Sequence, residues 1–335
     1  MKRYLAQRLI GMVVVLFGIT ILTFVISHMV PADPVLAVVG DFADEATIQA
    51  IREKWGLDKP LPEQYIRYVW SLLQGDLGVS LRTQRPVLTD LKEFFPATIE
   101  LSTVALLVAV SIGIPTGIIS AIRRNSLIDH LSRVLSLVGV STPVFWLGLV
   151  ASAIFYYKLG LLPGGGRLSA EVATPPHFTG LYTLDSLVAR QFETLWDALK
   201  HLILPALVLG SGGAGSIARL TRSSMLEVLF QDYVRTARAK GLRERLVILR
   251  HALKNALIPT VTVVGMVYGT MLGGAVLTET VFSWPGMGRY AVTTIKSLDF
   301  AALMGVTLVA TVVYSLVNLI VDLLYGYLDP RIRYD

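Results

Sequence analysis

Residues 232–259 read DYVRTARAKGLRERLVILRHALKNALIP, with seven Lys and Arg against two acids in an otherwise apolar neighbourhood. The stretch follows one long apolar segment and runs into another. Asp232 as N-cap and Gly241 as the first residue past the end predict a short helix, YVRTARAK. Arg238 and Lys240 fall in its last turn, where cations complement the helix dipole. Beyond Gly241, Leu242, Leu246, Leu249, Leu253 and Leu257 recur at helical spacing and predict a second helix with one apolar stripe. Arg243, Arg250 and Lys254 lie on another face of it. Positive charge next to a membrane can serve as plain anchoring to anionic lipid. A helix made only for that purpose carries Trp or Phe on its apolar face. Here Ala237, Ala239 and Gly241 are small, which suits close approach by another protein from the same side.

The surroundings say what that side is. The chain has 335 residues, 53% of them hydrophobic and only 16% charged, well below the charge of a soluble domain. Six segments are long and apolar enough to span a bilayer: about 9–30, 97–122, 134–159, 203–220, 257–281 and 301–326. The fourth is diluted by GSGGAGS at 210–216. With both termini inside, segments 1–8, 123–133, 219–255 and 327–335 hold 17 of the 30 Lys and Arg against six acids. That bias gives an N-in, C-in topology. It also assigns the basic charge to membrane orientation and not to nucleic acid.

The absent residues exclude several chemistries. No cysteine is present, so thiolate catalysis and Cys-ligated metals are ruled out. No GxxxxGK[ST] and no HExxH occurs, and the five histidines are scattered, which leaves no metal-ligand spacing. The chain reads as a conduit driven by something else.

RLTRSSMLEVLFQDYVRTARAKGL (219–242) followed by NALIPTVTVVG (255–265) resembles the cytoplasmic signature of binding-protein-dependent ABC importer permeases, closest to the dipeptide/oligopeptide branch. WGLDKPLPEQYIRYVW (55–70), GDLGVSL (75–81), STPVFWLGL (141–149), HLILPALVLG (201–210) and LTETVFSWPGMGR (277–289) resemble the same branch in the same order. Arg235-Thr236-Ala237 stands where the generic pattern has Glu-Ala-Ala, a departure that the peptide branch shares. The resemblance implies an all-α, six-span type I importer permease in the inner membrane. Its implied parts are an anchor helix (1–30), an external helical region (31–95) and a permease core (96–335) with a coupling region at 219–256. It further implies a second permease as heterodimer partner, two ATPase subunits that bind the ATP and Mg, and an external substrate-binding protein. No cofactor is implied in this chain itself. Coupling to the ATPase falls to Tyr233, Arg235, Thr236, Ala237, Arg238, Ala239, Lys240, Gly241 and Arg243. Peptides are the implied cargo; relatives carry nickel chelates or glutathione. The reading from another class is a self-sufficient secondary transporter coupled through buried carboxylates such as Asp322.

Further residues are candidates for the path or its gate: Ser141, Pro143 and Phe145 in the third span, Gly269 and Gly273 in the fifth, and Glu279 with Trp284 near its outer end. Gly265, Gly269 and Gly273 share one helix face, which suits either tight packing inside the bundle or a sliding contact. Asp322 within a span predicts a partner, with an arginine near the cytoplasmic surface as one choice. Pro115 and Pro143 predict kinks. Asp44 is expected to cap an external helix ending at Gly56, and Pro62 to start another ending at Gly75.

Overall fold

A computed structural model describes residues 2–29, 35, 44–273 and 275–328; parts of the 31–95 loop and most of the 327–335 segment lie outside the described residues. Among the described residues the regular secondary structure is all helical, with one isolated bridge between Val79 and Pro86. Helix α1 (Lys2–Met29) is followed externally by α2 (Glu45–Trp55) and α3 (Leu61–Leu73). Asp44 caps α2 by accepting from Thr47 N at 3.2 Å, and Gly56 ends it at φ 70°. Pro62 sits in the first turn of α3, as its fixed φ favours.

The centre is a pair of long helices, α4 (Val87–Ile122) and α8 (Phe192–Leu229). Glycines let their backbones touch. A Cβ at Gly113 would stand 2.8 Å from Ala214 O, one at Gly117 2.6 Å from Ala218 O, and one at Gly210 2.7 Å from Ala105 O. No side chain fits there, so close backbone packing is the use of GSGGAGS in α8. Pro115 is held inside α4, which continues to Ile122.

Pro143 does more than kink. Between α5 (Leu127–Ser141) and α6 (Val144–Ala151, continued as a π-helical segment Ser152–Lys158) the chain bends by 102°. The expected third span is therefore a broken pair. The cause is local: Pro143 disfavours the helical region for Thr142, which adopts φ −77°, ψ 127°. Among the described residues five unbroken helices are long and apolar enough to cross a membrane, six if that pair counts as one span.

After α7 (Tyr182–Val188) and α8 come α9 (Asp232–Ala239) and α10 (Glu244–Leu272, π-helical over Val247–Ala252). The expected fifth span stops early, at Leu272; 276–281 is a separate helix, α11 (Val276–Val281). Helices α12 (Met287–Lys296) and α13 (Phe300–Leu328) complete the described chain. Gly265 and Gly269 let α10 approach α13: an added Cβ would collide with Val321 at the first and stand 3.3 Å from Tyr314 at the second. This is the packing alternative for that glycine face. Gly273 meets only its own helix and is exposed. Helix α1 leaves Val13, Val14 and Phe17 more than half exposed, a surface suited to lipid or to a partner helix. It is tied to α13 by Arg8 Nη2–Asp322 Oδ2 at 3.1 Å.

Candidate functional site

The corner between α9 and α10 is assembled from few contacts. Gln231, not Asp232, occupies the N-cap position and makes no side-chain cap bond; Asp232 is the first helical residue, where its charge still suits the dipole. Val234, Ala237 and Val247 form a small buried cluster with Val228. Ala237 thus faces its own chain and is not available to a partner, contrary to the expectation from its size. The cause is helical phase: Ala237 lies three residues after Val234 and shares its inward face. Arg235, Thr236, Ala239, Lys240 and Arg243 are exposed around it.

Two further coupling candidates hold the corner shut. Arg238 donates to both carboxylate oxygens of Glu244, Nη2 to Oε1 at 2.8 Å and Nε to Oε2 at 3.1 Å. That pairing keeps the Arg238 guanidinium above its ordinary pKa. Tyr233 OH accepts from Asn255 Nδ2 at 2.7 Å, bracing α9 against α10. Gly241 turns the chain at φ +74°, and its NH reaches Arg238 O at 2.9 Å. A Cβ there would meet nothing within 4 Å, so the glycine is required by its left-handed conformation and not by crowding within this chain.

The leucine stripe departs from expectation. Leu242, Leu246 and Leu249 are exposed, whereas Val247, Ala252 and Ala256 are buried. The π-helical turn at Val247–Ala252 explains the shift, because i→i+5 bonding rotates the phase that a 3.6-residue pattern assumes.

At the opposite, external end two buried acids organise the outer half of α4. Glu279 is fully buried; Oε1 accepts from Thr98 Oγ1 at 2.8 Å and Oε2 from Arg289 N at 2.9 Å. Arg289 is in the first turn of α12, so this carboxylate acts as an N-cap supplied from elsewhere in the chain. Met287 N donates to Thr98 Oγ1 at 2.8 Å, and Trp284 Nε1 to Ala97 O at 2.8 Å. A side chain on Gly286 would overlap the Glu279 carboxyl. Glu100 repeats the device: Thr183 N and Oγ1, in the first turn of α7, each donate to Oε1 at 2.7 Å. Its Oε2 meets Arg167 Nη2 at 2.6 Å, and Arg167 lies 3.5 Å over the Tyr182 ring and 5.8 Å from that of Trp284. Asp185 belongs to the same layer. Burial alone would push its carboxyl up, but hydrogen bonds from Thr179 and from the Gly180 backbone hold it below the usual range.

The structure therefore brings Glu279 and Trp284 together with Glu100, which the sequence shows only as an acid near the outer end of the second span, and with Thr98 and Arg167, which sequence reasoning missed. Arg167 sits in LLPGGGR, which reads only as loop; its signal was a lone cation opposite an outer acid. Ser141, Pro143 and Phe145 are exposed at the α5–α6 break and take no part in the cap's hydrogen bonds. Helix α6 reaches α11 through Gly148, where a Cβ would stand 3.2 Å from Val281. Gly269 packs internally, as above. Among the described residues no cluster of acids and histidines is arranged to hold a metal ion.

Residues 113–334 match the family model described as binding-protein-dependent transport system inner membrane component, and residues 1–102 match its N-terminal companion. The chain is 53% identical over 328 residues to a probable D,D-dipeptide transport system permease protein of Escherichia coli strain K12, covering 98% of this chain and 96% of that protein. It is 47% identical to a dipeptide transport system permease protein of Alkalihalophilus pseudofirmus, over all of both chains. A glutathione transport system permease protein of Pectobacterium atrosepticum is 39% identical, again over both full lengths. Among solved structures, a chain of the MetNI methionine ABC transporter in inward-facing conformations is similar with a TM-score of 0.55 at 15% identity, over 72% of this chain and 97% of that one. That likeness bears on the fold alone.

Proposed function

The chain belongs to the family of binding-protein-dependent transport system inner membrane components, and from that premise we propose that it forms one half of the path for di- or oligopeptides. It is a multi-pass inner membrane permease of an ABC importer and not an enzyme. The observation that carries the peptide reading is similarity over the whole chain to several permeases whose names specify dipeptides. The similarity to a glutathione permease favours glutathione, itself a small peptide, as the second reading.

In this reading a second permease completes the path as a heterodimer, and an external binding protein delivers the cargo. Two ATPase subunits hold ATP and Mg and dock on the exposed side of α9 and the Gly241 turn. The anchor, external region and core act as the three parts assigned from sequence. The external cap acts as part of the outer gate, because α4, α7, α11 and α12 meet on Glu100 and Glu279. Asp322 serves assembly: its carboxylate is engaged by Arg8, which removes the group a self-coupled carrier would use.

Uptake of a radiolabelled dipeptide by cells lacking this chain tests the reading. Loss of that uptake, with restoration by the wild-type chain, is expected. Unchanged dipeptide uptake with loss of glutathione uptake would replace the first substrate by the second.

A further inference from the structure

Between α4, α5 and α8 lies a cavity of about 360 Å³ that neither the coupling corner nor the external cap uses. Thr116, Ser120 and Ser132 supply hydroxyls to its wall, and Arg133, Arg219 and Arg222 supply three guanidiniums, with no acid in the lining. One carboxylate stands behind it. Asp129 is buried and takes Arg222 Nε at 2.7 Å and Nη2 at 2.8 Å, plus Ser120 Oγ at 2.6 Å and Asn125 N at 2.9 Å. Arg133 stands 3.7 Å from the same carboxylate and bonds His130 Nδ1. A single negative charge is thus shared by two guanidiniums. Arg219 has no hydrogen bond or ion pair among the described residues, so the cavity carries a surplus of positive charge.

Its depth is informative. Thr116 lies roughly 10 Å along α4 from Arg123, at a rise of about 1.5 Å per residue. Arg123 and Arg124 are exposed at the turn that ends the apolar run. The cavity therefore sits at the boundary between acyl chains and headgroups. Leu137 lines it and is exposed, and Ile112 and Ile119, exposed on α4, flank Thr116 at helical spacing. Guanidiniums match phosphate oxygens in geometry and charge, and basic pockets between membrane helices on the cytoplasmic side suit phospholipid headgroups.

We propose that this cavity binds a phosphate group, supplied by the headgroup of an anionic phospholipid whose acyl chains lie along Leu137 and the Ile112–Ile119 face of α4. The leaflet assignment rests on the N-in topology, which cysteine labelling checks separately; the binding itself does not. The experiment uses the assembled transporter in nanodiscs of phosphatidylcholine with or without phosphatidylglycerol, and counts retained lipid by native mass spectrometry. Arg133→Gln with Arg219→Gln should reduce retained phosphatidylglycerol by about fivefold per charge removed. Arg133→Lys with Arg219→Lys should keep most of it. Both side chains are exposed, and size-exclusion chromatography confirms assembly; should the double variant fail to assemble, Arg219→Gln alone carries the test. In a second arm, radiolabelled inorganic phosphate is bound to delipidated transporter. Arginine-dependent phosphate binding without selective lipid retention would uphold the site with free phosphate as its ligand. Equal retention and equal phosphate binding in wild type and the Gln variant would overturn the proposal.

Discussion

The two ends of this chain are built by opposite means. At the external cap, Glu100 and Glu279 are buried, their oxygens are filled by backbone NH groups, hydroxyls and Arg167, and short helices are pinned to the outer half of α4. At the cytoplasmic corner, α9 buries only Val234 and Ala237, is clasped by the exposed Arg238–Glu244 pair and the Asn255–Tyr233 hydrogen bond, and leaves its other side chains exposed. The first arrangement is complete within one chain. The second exposes small and basic residues and a leucine stripe, which is the surface expected where another subunit supplies the missing contacts.

The largest effect is expected at the cap. Glu100→Ala would leave Arg167 buried without its carboxylate, and breaking such a pair from one side costs about 3–5 kcal/mol. Protein recovered from membranes should fall sharply; full recovery with normal thermal stability would mean that the cap is not a structural unit. Gly286→Ala should also destabilise, because its Cβ overlaps the Glu279 carboxyl. A shift in unfolding temperature measures it.

At the corner the expected loss lies in partnership more than in folding. Gly241→Val places a β-branched side chain at φ +74° and costs roughly 1–2 kcal/mol locally. The chain should remain inserted. Asp322→Asn removes a partly exposed pair with Arg8, worth about 0–1 kcal/mol. It should lower assembly slightly, and transport by the assembled complex should stay independent of external pH. Abolished uptake in that variant, with wild-type uptake surviving ATP depletion, would reverse the account. Arg243→Ala should be nearly silent in stability.

The comparison also separates what periodicity can convey from what it cannot. Apolar length and Lys/Arg bias laid out the spans, and the turn chemistry of Asp44, Pro62 and Gly241 is local, so it was legible. Pro143 predicts a kink and the structure has a break, because the proline fixes the extended conformation of Thr142 but its presence in the sequence does not give the size of the bend. The outward leucines of α10 were missed because a π-helical turn leaves no mark in a 3.6-residue pattern. Arg167 and Glu100 are 67 residues apart and meet only through the fold. Ala237 was legible as small, but the side it faces depends on Val247, beyond the glycine.

Sidedness sharpens the contrast, since the corner can meet an ATPase only from inside. Cysteines at Ala46, Ala170 and Ser223, all exposed, report it in this cysteine-free chain. An impermeant thiol reagent applied to intact cells should label the first two and spare the third; labelling at position 223 would invert the topology.

The most direct test of the difference between the two ends is ATPase co-purification with Gly241→Val, together with substrate-stimulated hydrolysis in the same membranes. Normal amounts of inserted permease with reduced ATPase recovery and weakened stimulation are expected. Normal recovery and normal stimulation would contradict the account, and the basic stretch at 232–259 would then be a lipid anchor and nothing more.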